Sequence, residues 1–295
     1  MTSPVEESLF RALAYFAHFE YPLTPMELWK WCDVPETSIV EIEEALSSSK
    51  WLEGKGVRCA EGFFGIGDIR TWREERIRRV TDALRKSRRA EQFVKFAAWL
   101  PWVKMIAVCN SLAYSFTNTE SDIDLFIVVQ RGRIWSTRLI LTGALALMRA
   151  RPGERAKDPL CLSFFATEDC LDLSSVKIGP EDPYLMYWIA TLAPVLDRNE
   201  TFAKFRAANG WIRQSVPRAH RVLRARSYAV SSQPKFPNVS FFERTAERMQ
   251  RSRFPESLRS MMNVDSRVVV TDSMLKFHHN DRRADILKAY ETLVS

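Results

Sequence analysis

The sequence predicts a mixed α/β (α+β) protein: a small mixed sheet with flanking helices at its centre, a module of small helices before it and a helical region after it. Three observations carry this expectation. Short apolar runs, long enough for buried strands and too short for helices, cluster between residues 103 and 166. Segments with apolar residues at helical spacing flank them on both sides. Helix-start signals such as Thr24-Pro25 followed by Glu27 punctuate the N-terminal part. At 295 residues the chain has room for two or three modules, each able to bury a core.

The first module is expected over residues 1–67. Ser8 to Glu20 carries Leu9, Leu13, Phe16 and Ala17 at the spacing of an amphipathic helix. Thr24 caps a second helix with Pro25 at its first position and Trp29 and Trp31 for bulk. A third covers Ser38 to Ser48, with Ile39, Ile42 and Leu46 on one side. Trp51-Leu52-Glu53 and Gly62 to Ile66 read as two short strands around a Gly-containing loop. Three small helices and a hairpin form the pattern of a winged helix. In that pattern the third helix would read the major groove, yet here it carries Glu41, Glu43 and Glu44 and no Arg or Lys before Lys50. Phosphate contacts need positive charge, so a packing or protein-contact role is favoured and nucleic acid stays possible without being favoured.

Residues 68–101 read as a basic helical connector, with eight arginines between Arg70 and Arg89 and an apolar side of Trp72, Ile77, Val80, Leu84, Phe93 and Phe96. A solvated face on a connector is the favoured reading, and a ridge guiding a polynucleotide is the alternative.

The core is expected over residues 102–178. Met105 to Cys109 is a buried strand, Asn110 and Ser111 turn the chain, and Thr117 to Ser121 leads into Asp122-Ile123-Asp124 and the β-branched run to Val129. Residues i and i+2 of a strand share a face, so Asp122 and Asp124 point the same way. Two carboxylates that close repel unless a cation lies between them, and hard oxygen ligands suit Mg²⁺ or Mn²⁺.

A strand, a turn ending in Ser, a linker of about ten residues and Ser-Asp-Ile-Asp opening a second strand resemble the core of the polymerase-β-type nucleotidyltransferase superfamily. The layout with an N-terminal winged helix is also similar to uncharacterised bacterial nucleotidyltransferase-like proteins. The resemblance implies that Asp122 and Asp124 are the catalytic, metal-binding carboxylates and that Ser111 holds the triphosphate of a nucleoside triphosphate. Asn110 and Ser121 join the expected nucleotide contacts. The family's turn glycine is Asn110 here, a residue that tolerates a left-handed backbone better than most. Phosphoryl transfer relies on charge neutralisation and positioning, which these parts supply.

After Gly132 an apolar helix is expected from Ile134 to Ala150. Its Arg138 is a candidate nucleotide contact, with pairing to a core carboxylate as the alternative. The next strand, Leu160 to Ala166, is where the family carries its third carboxylate. The facing positions offer only Cys161 or Ser163, while Asp158, Glu168 and Asp169 lie beyond the strand's reach. Residues 179–228 read as a helical module whose Tyr187, Trp188 and Trp211 stack a base or, as favoured, fill a core. Residues 229–295 begin with a linker at Ser231 to Pro237. Val268 to Val270 then reads as a small strand or docking segment. His278-His279 with Asp281 reads as a solvated helix start, with a metal or phosphate site as the alternative, and Asn280 or Asp281 caps a helix from Ala284 to Val294.

A net charge of +7 suggests an anionic partner. Five scattered cysteines suggest reduced thiols, no signal-peptide pattern opens the chain, and Leu139 to Met148 is too short to cross a bilayer. The expectation is a cytoplasmic protein without a membrane partner. Two functions stay open: Mg²⁺-dependent transfer of a nucleoside monophosphate to an unidentified hydroxyl acceptor, or a catalytically impaired nucleotide-binding or regulatory protein of the same fold, whose winged helix contacts a partner or DNA.

Overall fold

Three reciprocal caps organise the N-terminal part of the computed structural model, which describes residues 2–153, 157–219 and 240–295. Ser3, Thr24 and Ser38 each accept from the backbone of a glutamate three residues on, and each glutamate returns the bond. They open α1 (Pro4–Ala17), α2 (Pro25–Trp31) and α3 (Ile39–Ser48). The strand expected at Trp51-Leu52-Glu53 is instead helical. Ser49 accepts from the Leu52 amide and starts α4 (Lys50–Gly54) directly after α3. Gly56, at φ +85°, then releases the chain into a hairpin, β1 (Val57–Ala60) against β2 (Phe63–Ile66).

The basic connector is one unbroken helix, α5 (Ile69–Ala97), and many of its arginines are engaged rather than free. Arg76 grips Glu27 of α2, Arg73 pairs with Glu61 of the hairpin, and Arg85 makes two bonds to Asp158. The helix thus straps the first module to the centre of the molecule.

The centre is a six-stranded mixed sheet. Its strands are β3 (Val103–Val108), β4 (Ile123–Val129), β5 (Leu160–Thr167), β6 (Ala193–Asp197), β7 (Val268–Val270) and β8 (Met274–Phe277), in the order β6-β3-β4-β5-β8-β7. Only the β4–β5 pair is parallel, and α7 (Ile134–Leu147) connects those two strands. The short α6 (Asn110–Ala113) follows β3, and α8 (Pro183–Thr191) and α9 (Thr201–Ala208) flank β6. Then come α10 (Ser240–Ser252), α11 (Glu256–Arg259) and the closing α12 (Arg283–Val294). Neither β6 nor β8 was expected from the sequence. Both are short, and β6 follows a helix without an intervening break. The expected linker at Ser231 to Pro237 lies outside the described residues.

Alternation divides the sheet's side chains between two cores. Ile106, Ile127, Phe165 and Leu275 pack on one face with Phe93 of α5 and Leu141 of α7. Phe126 and Phe164 pack on the other with Trp188 of α8 and Phe205 of α9, ring centroids 4.9 to 5.5 Å apart. Each such aromatic burial stabilises by about 2 kcal/mol. A third core joins α1, α2 and the hairpin to Phe116, Tyr187, Val216 and Ile286, so the N-terminal helices share their interior with the rest of the chain. On the α7 side, the Glu243 carboxylate of α10 accepts from the Trp135 and Ser136 amides and docks that helix.

Candidate functional site

The site starts where β3 ends. Asn110 sits in the left-handed region at φ +54°, a conformation open to Asn at modest cost, and the chain reverses there into α6. Across the strand pair, Asp124 is the second residue of β4 and Asp122 lies just before it, either side of the fully buried Ile123. The Asp124 carboxylate accepts from the side chains of Asn110 and Cys161. Tyr184 of α8 donates to Asn110 Oδ1 at 3.3 Å, fixing that amide from behind.

Burial pushes the carboxyl groups of Asp122 and Asp124 above the usual carboxylate range, and for Asp122 the charge of Asp124 adds to it. The Lys86 ammonium pulls both back down. Lys86 is wholly buried on α5 and is already committed: it donates to the backbone carbonyls of Asn118 and Ser121 and lies 3.4 Å from Asp82. Among the described residues there is no cluster of three or more metal-ligating side chains. A cation here would therefore complete its shell with oxygen atoms of a substrate, a donor set that suits Mg²⁺.

The strand beside Asp124 holds no carboxylate at the site. Cys161 is the cross-strand partner of Asp124. The register then shifts before Phe126–Phe164, so β5 carries one residue more than β4. Cys161 and Ser163 both line the cleft that Asp124 enters. The three acidic residues nearest in sequence have other partners. Asp158 is held by Arg85, Glu168 lies 3.9 Å from Lys104, and Asp169 lies 3.5 Å from Arg131.

The segment after β8 closes this cleft, contrary to the expected solvated helix start. His278 Nε2 lies 3.2 Å from Ser163 Oγ. Burial, then the charge of Lys276, push its imidazole down to about 3, so the ring is neutral at physiological pH. Asp281 does not cap through a free side chain. It pairs with the buried Arg283, which reaches Asp182 before α8 at 3.0 Å. This buried pairing is what draws the segment inward, and α12 begins at Arg283 rather than Ala284.

Two cavities meet at Asn110. One, about 420 Å³, is lined by Asn110, Asp124, Cys161, Ser163, Trp188 and His278. The other, about 260 Å³, is lined by Asn110, Ser111 and a ring of aromatic side chains that includes Tyr15, Phe19, Tyr21 and Tyr114. Asn110, Phe19, Tyr184 and Trp188 belong to both. Trp188 and Tyr187 are core residues as favoured, and the Trp188 ring also forms cleft wall. Trp211 lies under Lys177 away from both cavities. Of the other expected contacts, the Ser121 hydroxyl is taken up by Asn118. Arg138 lines neither cavity; it donates to Gln250 of α10 and lies over Phe277.

Sequence reasoning placed His278 in a solvated helix start, and it missed Lys86 and the aromatic ring around Ser111. A His-His pair in a polar tail carries no signal of burial, and a lysine in an arginine-rich helix looks like its neighbours. The aromatic ring assembles from α1, the segment before α2, α6 and α8, which no spacing connects. Comparison with family models, with curated proteins and with solved structures finds no match for this chain. No helix among the described residues is long and apolar enough to cross a membrane.

Proposed function

We propose that the protein transfers a nucleoside monophosphate from a nucleoside triphosphate to a hydroxyl acceptor. One observation supports this reading: Asp124, with Asp122 two residues before it, stands at a cleft continuous with an aromatic cavity of about 260 Å³, and both carboxyl groups are destabilised as anions. Asp122 and Asp124 would hold Mg²⁺ or Mn²⁺, which supplies charge neutralisation to the triphosphate. The base stacks among Tyr15, Tyr21 and Tyr114, a sequence-tolerant mode of holding a π face. Asn110 and Ser111 border both cavities or the aromatic one, and so lie along the path of the phosphates.

In the transfer, the acceptor oxygen forms a bond to the α-phosphorus while the bond from that phosphorus to the bridging oxygen breaks. Pyrophosphate leaves, and the hydroxyl proton must find a base. Cys161 and Ser163 cannot be that base as a carboxylate would be. The His278 imidazole lies 3.2 Å from Ser163, but a ring pushed down to about 3 is too weak a base for this role, so the proton passes to water.

The second reading is a nucleotide-binding or regulatory protein without turnover, and the absence of a carboxylate at Cys161 and Ser163 favours it. DNA contact through a winged-helix-like first module gains little support from α3, whose Glu43 and Glu44 are exposed or half-exposed. Calorimetric titration with each of four ribonucleoside triphosphates plus Mg²⁺, beside the Asp122→Ala, Asp124→Ala double variant, tests the proposal. Metal-dependent binding that the variant loses is the expected result. Absence of binding to all four by folded protein would sink it. Binding without pyrophosphate release across an acceptor panel would favour the second reading.

A further inference from the structure

Arg138, expected at the nucleotide, belongs to a different cleft. About 470 Å³ in volume, this cleft lies between α7 and the α10–α11 segment, and Arg138, Arg151 and Arg253 line it. Among the described residues its wall includes no Asp or Glu. Arg138 is anchored, not mobile: its Nη1 donates to Gln250 at 2.6 Å and its guanidinium lies 4.5 Å from the Phe277 ring centre. Its Nε is buried and has no hydrogen-bond partner. A buried guanidinium nitrogen left unsatisfied is costly, and a ligand oxygen is the natural complement.

Cys161, Ser163 and Phe277 line this cleft and also the one that holds Asp124 and His278. The two therefore meet at the stretch of β5 where the third carboxylate is missing. A molecule seated on the arginines would reach the proposed transfer site along this shared stretch.

We infer that this second cleft binds the acceptor, and that the acceptor carries a phosphate group which seats on Arg138, Arg151 and Arg253 while its hydroxyl reaches the Ser163 end. The inference rests on the nucleotidyl-transfer reading for the word acceptor, and on the cleft's own chemistry for the phosphate. The guanidinium groups of Arg138 and Arg253 offer planar, forked donors to the oxygens of a dianion, with the Arg151 charge beside them, a better match than one carboxylate makes. The electrostatics agree: burial, then the charge of Arg151, lower the Arg138 guanidinium to about 10, a repulsion that a bound anion relieves.

The test is calorimetry on the full chain without added metal, with ribose 5-phosphate as probe and ribose and ribonate as the neutral and single-carboxylate arms. Arg151 and Arg253 are exposed, so an Arg151→Gln, Arg253→Gln variant should fold normally. The expected result is binding of ribose 5-phosphate, none of ribose, and at least a tenfold loss in that variant. The Asp122→Ala, Asp124→Ala variant should bind the probe as wild type does, which separates this cleft from the nucleotide site. Unchanged affinity in the arginine variant, ribonate binding as tight as the sugar phosphate, or no probe binding at millimolar concentration would each overturn the inference. Probe binding that depends on the arginines, beside a failure of metal-dependent nucleotide binding, would retire the transfer reading and leave the anion cleft standing.

Discussion

Burial decides how Asp124 titrates, raising its carboxyl group, and the neutral donors around it offset that only in part. Asn110 and Cys161 donate to it, its charge raises the neighbouring Asp122 carboxyl group, and the buried Lys86 ammonium that draws both down is tied to backbone carbonyls. Both carboxyl groups have folded-state pKa values above their ordinary values. Protonation therefore favours the folded state, and that contribution is full below the ordinary carboxylate range and is lost as pH rises through the raised values. At neutral pH both charges cost stability in the metal-free protein. Asp124→Asn, which keeps an oxygen to accept both hydrogen bonds, is expected to raise Tm at pH 7. The gain should shrink as pH falls through the carboxylate range. Mg²⁺ with nucleotide should raise the Tm of wild type and leave the variant unmoved. A lower Tm for the variant at pH 7 would mean that the carboxylate is already compensated within the fold.

At the scale of elements, α5 does more than connect. Lys86 from its middle donates to the carbonyls of Asn118 and Ser121, and the neighbouring Asp82 accepts from Thr117. The loop that delivers Asp122 and Asp124 to the sheet is thus held from below by one turn of helix. Lys86→Met keeps the apolar stem and removes the ammonium, leaving the Ser121 carbonyl without this donor, the Asn118 carbonyl with the Ser121 amide alone, and Asp82 short of a partner. A loss of roughly 3 kcal/mol is expected for breaking one side of such a buried arrangement. Amide exchange should quicken first at Asn118 to Ser121, read by hydrogen-exchange mass spectrometry. Protection unchanged across that loop would show that the helix is not its anchor. The sequence marked this helix correctly as basic and amphipathic. It did not mark which cation turned inward, because Lys86 differs from the exposed arginines around it only in where the fold puts it.

The whole molecule shares its cores across the boundaries that the sequence suggested. Residues 1–67 look self-contained in their caps and periodicity, yet Tyr15 stacks on Tyr187 at 4.2 Å and Phe16 meets Tyr114 and Tyr187 edge-on. Ile286 of the last helix enters the same cluster. Calorimetric melting should therefore show one transition for the first module and the sheet together. Tyr187→Ala is expected to lower that transition as a whole, by an amount equivalent to about 3 kcal/mol. A separate early transition that this substitution alone shifts would show that the module folds on its own.

Local chemistry determined much of this protein without help from the fold. Capping boxes at Ser3, Thr24 and Ser38, the strands around Asn110 and Asp124, the α7 helix and the strand at Val268 to Val270 are all written in contiguous residues, whose turn chemistry and apolar period act over a few positions. So is the pairing of Asp122 with Asp124, since a strand's two-residue repeat is a local property. Ser49 restarting a helix, where Trp51-Leu52-Glu53 reads as a short strand before a Gly-containing loop, is a local signal of one residue. Only the tertiary structure decided the rest. His278 beside Ser163, Arg283 between Asp182 and Asp281, and Arg138 turned towards Gln250 each join residues about one hundred positions apart. Their partners are chosen by how strands and helices pack, and burial changes the charge state and meaning of a side chain in ways that its neighbours in the chain do not encode.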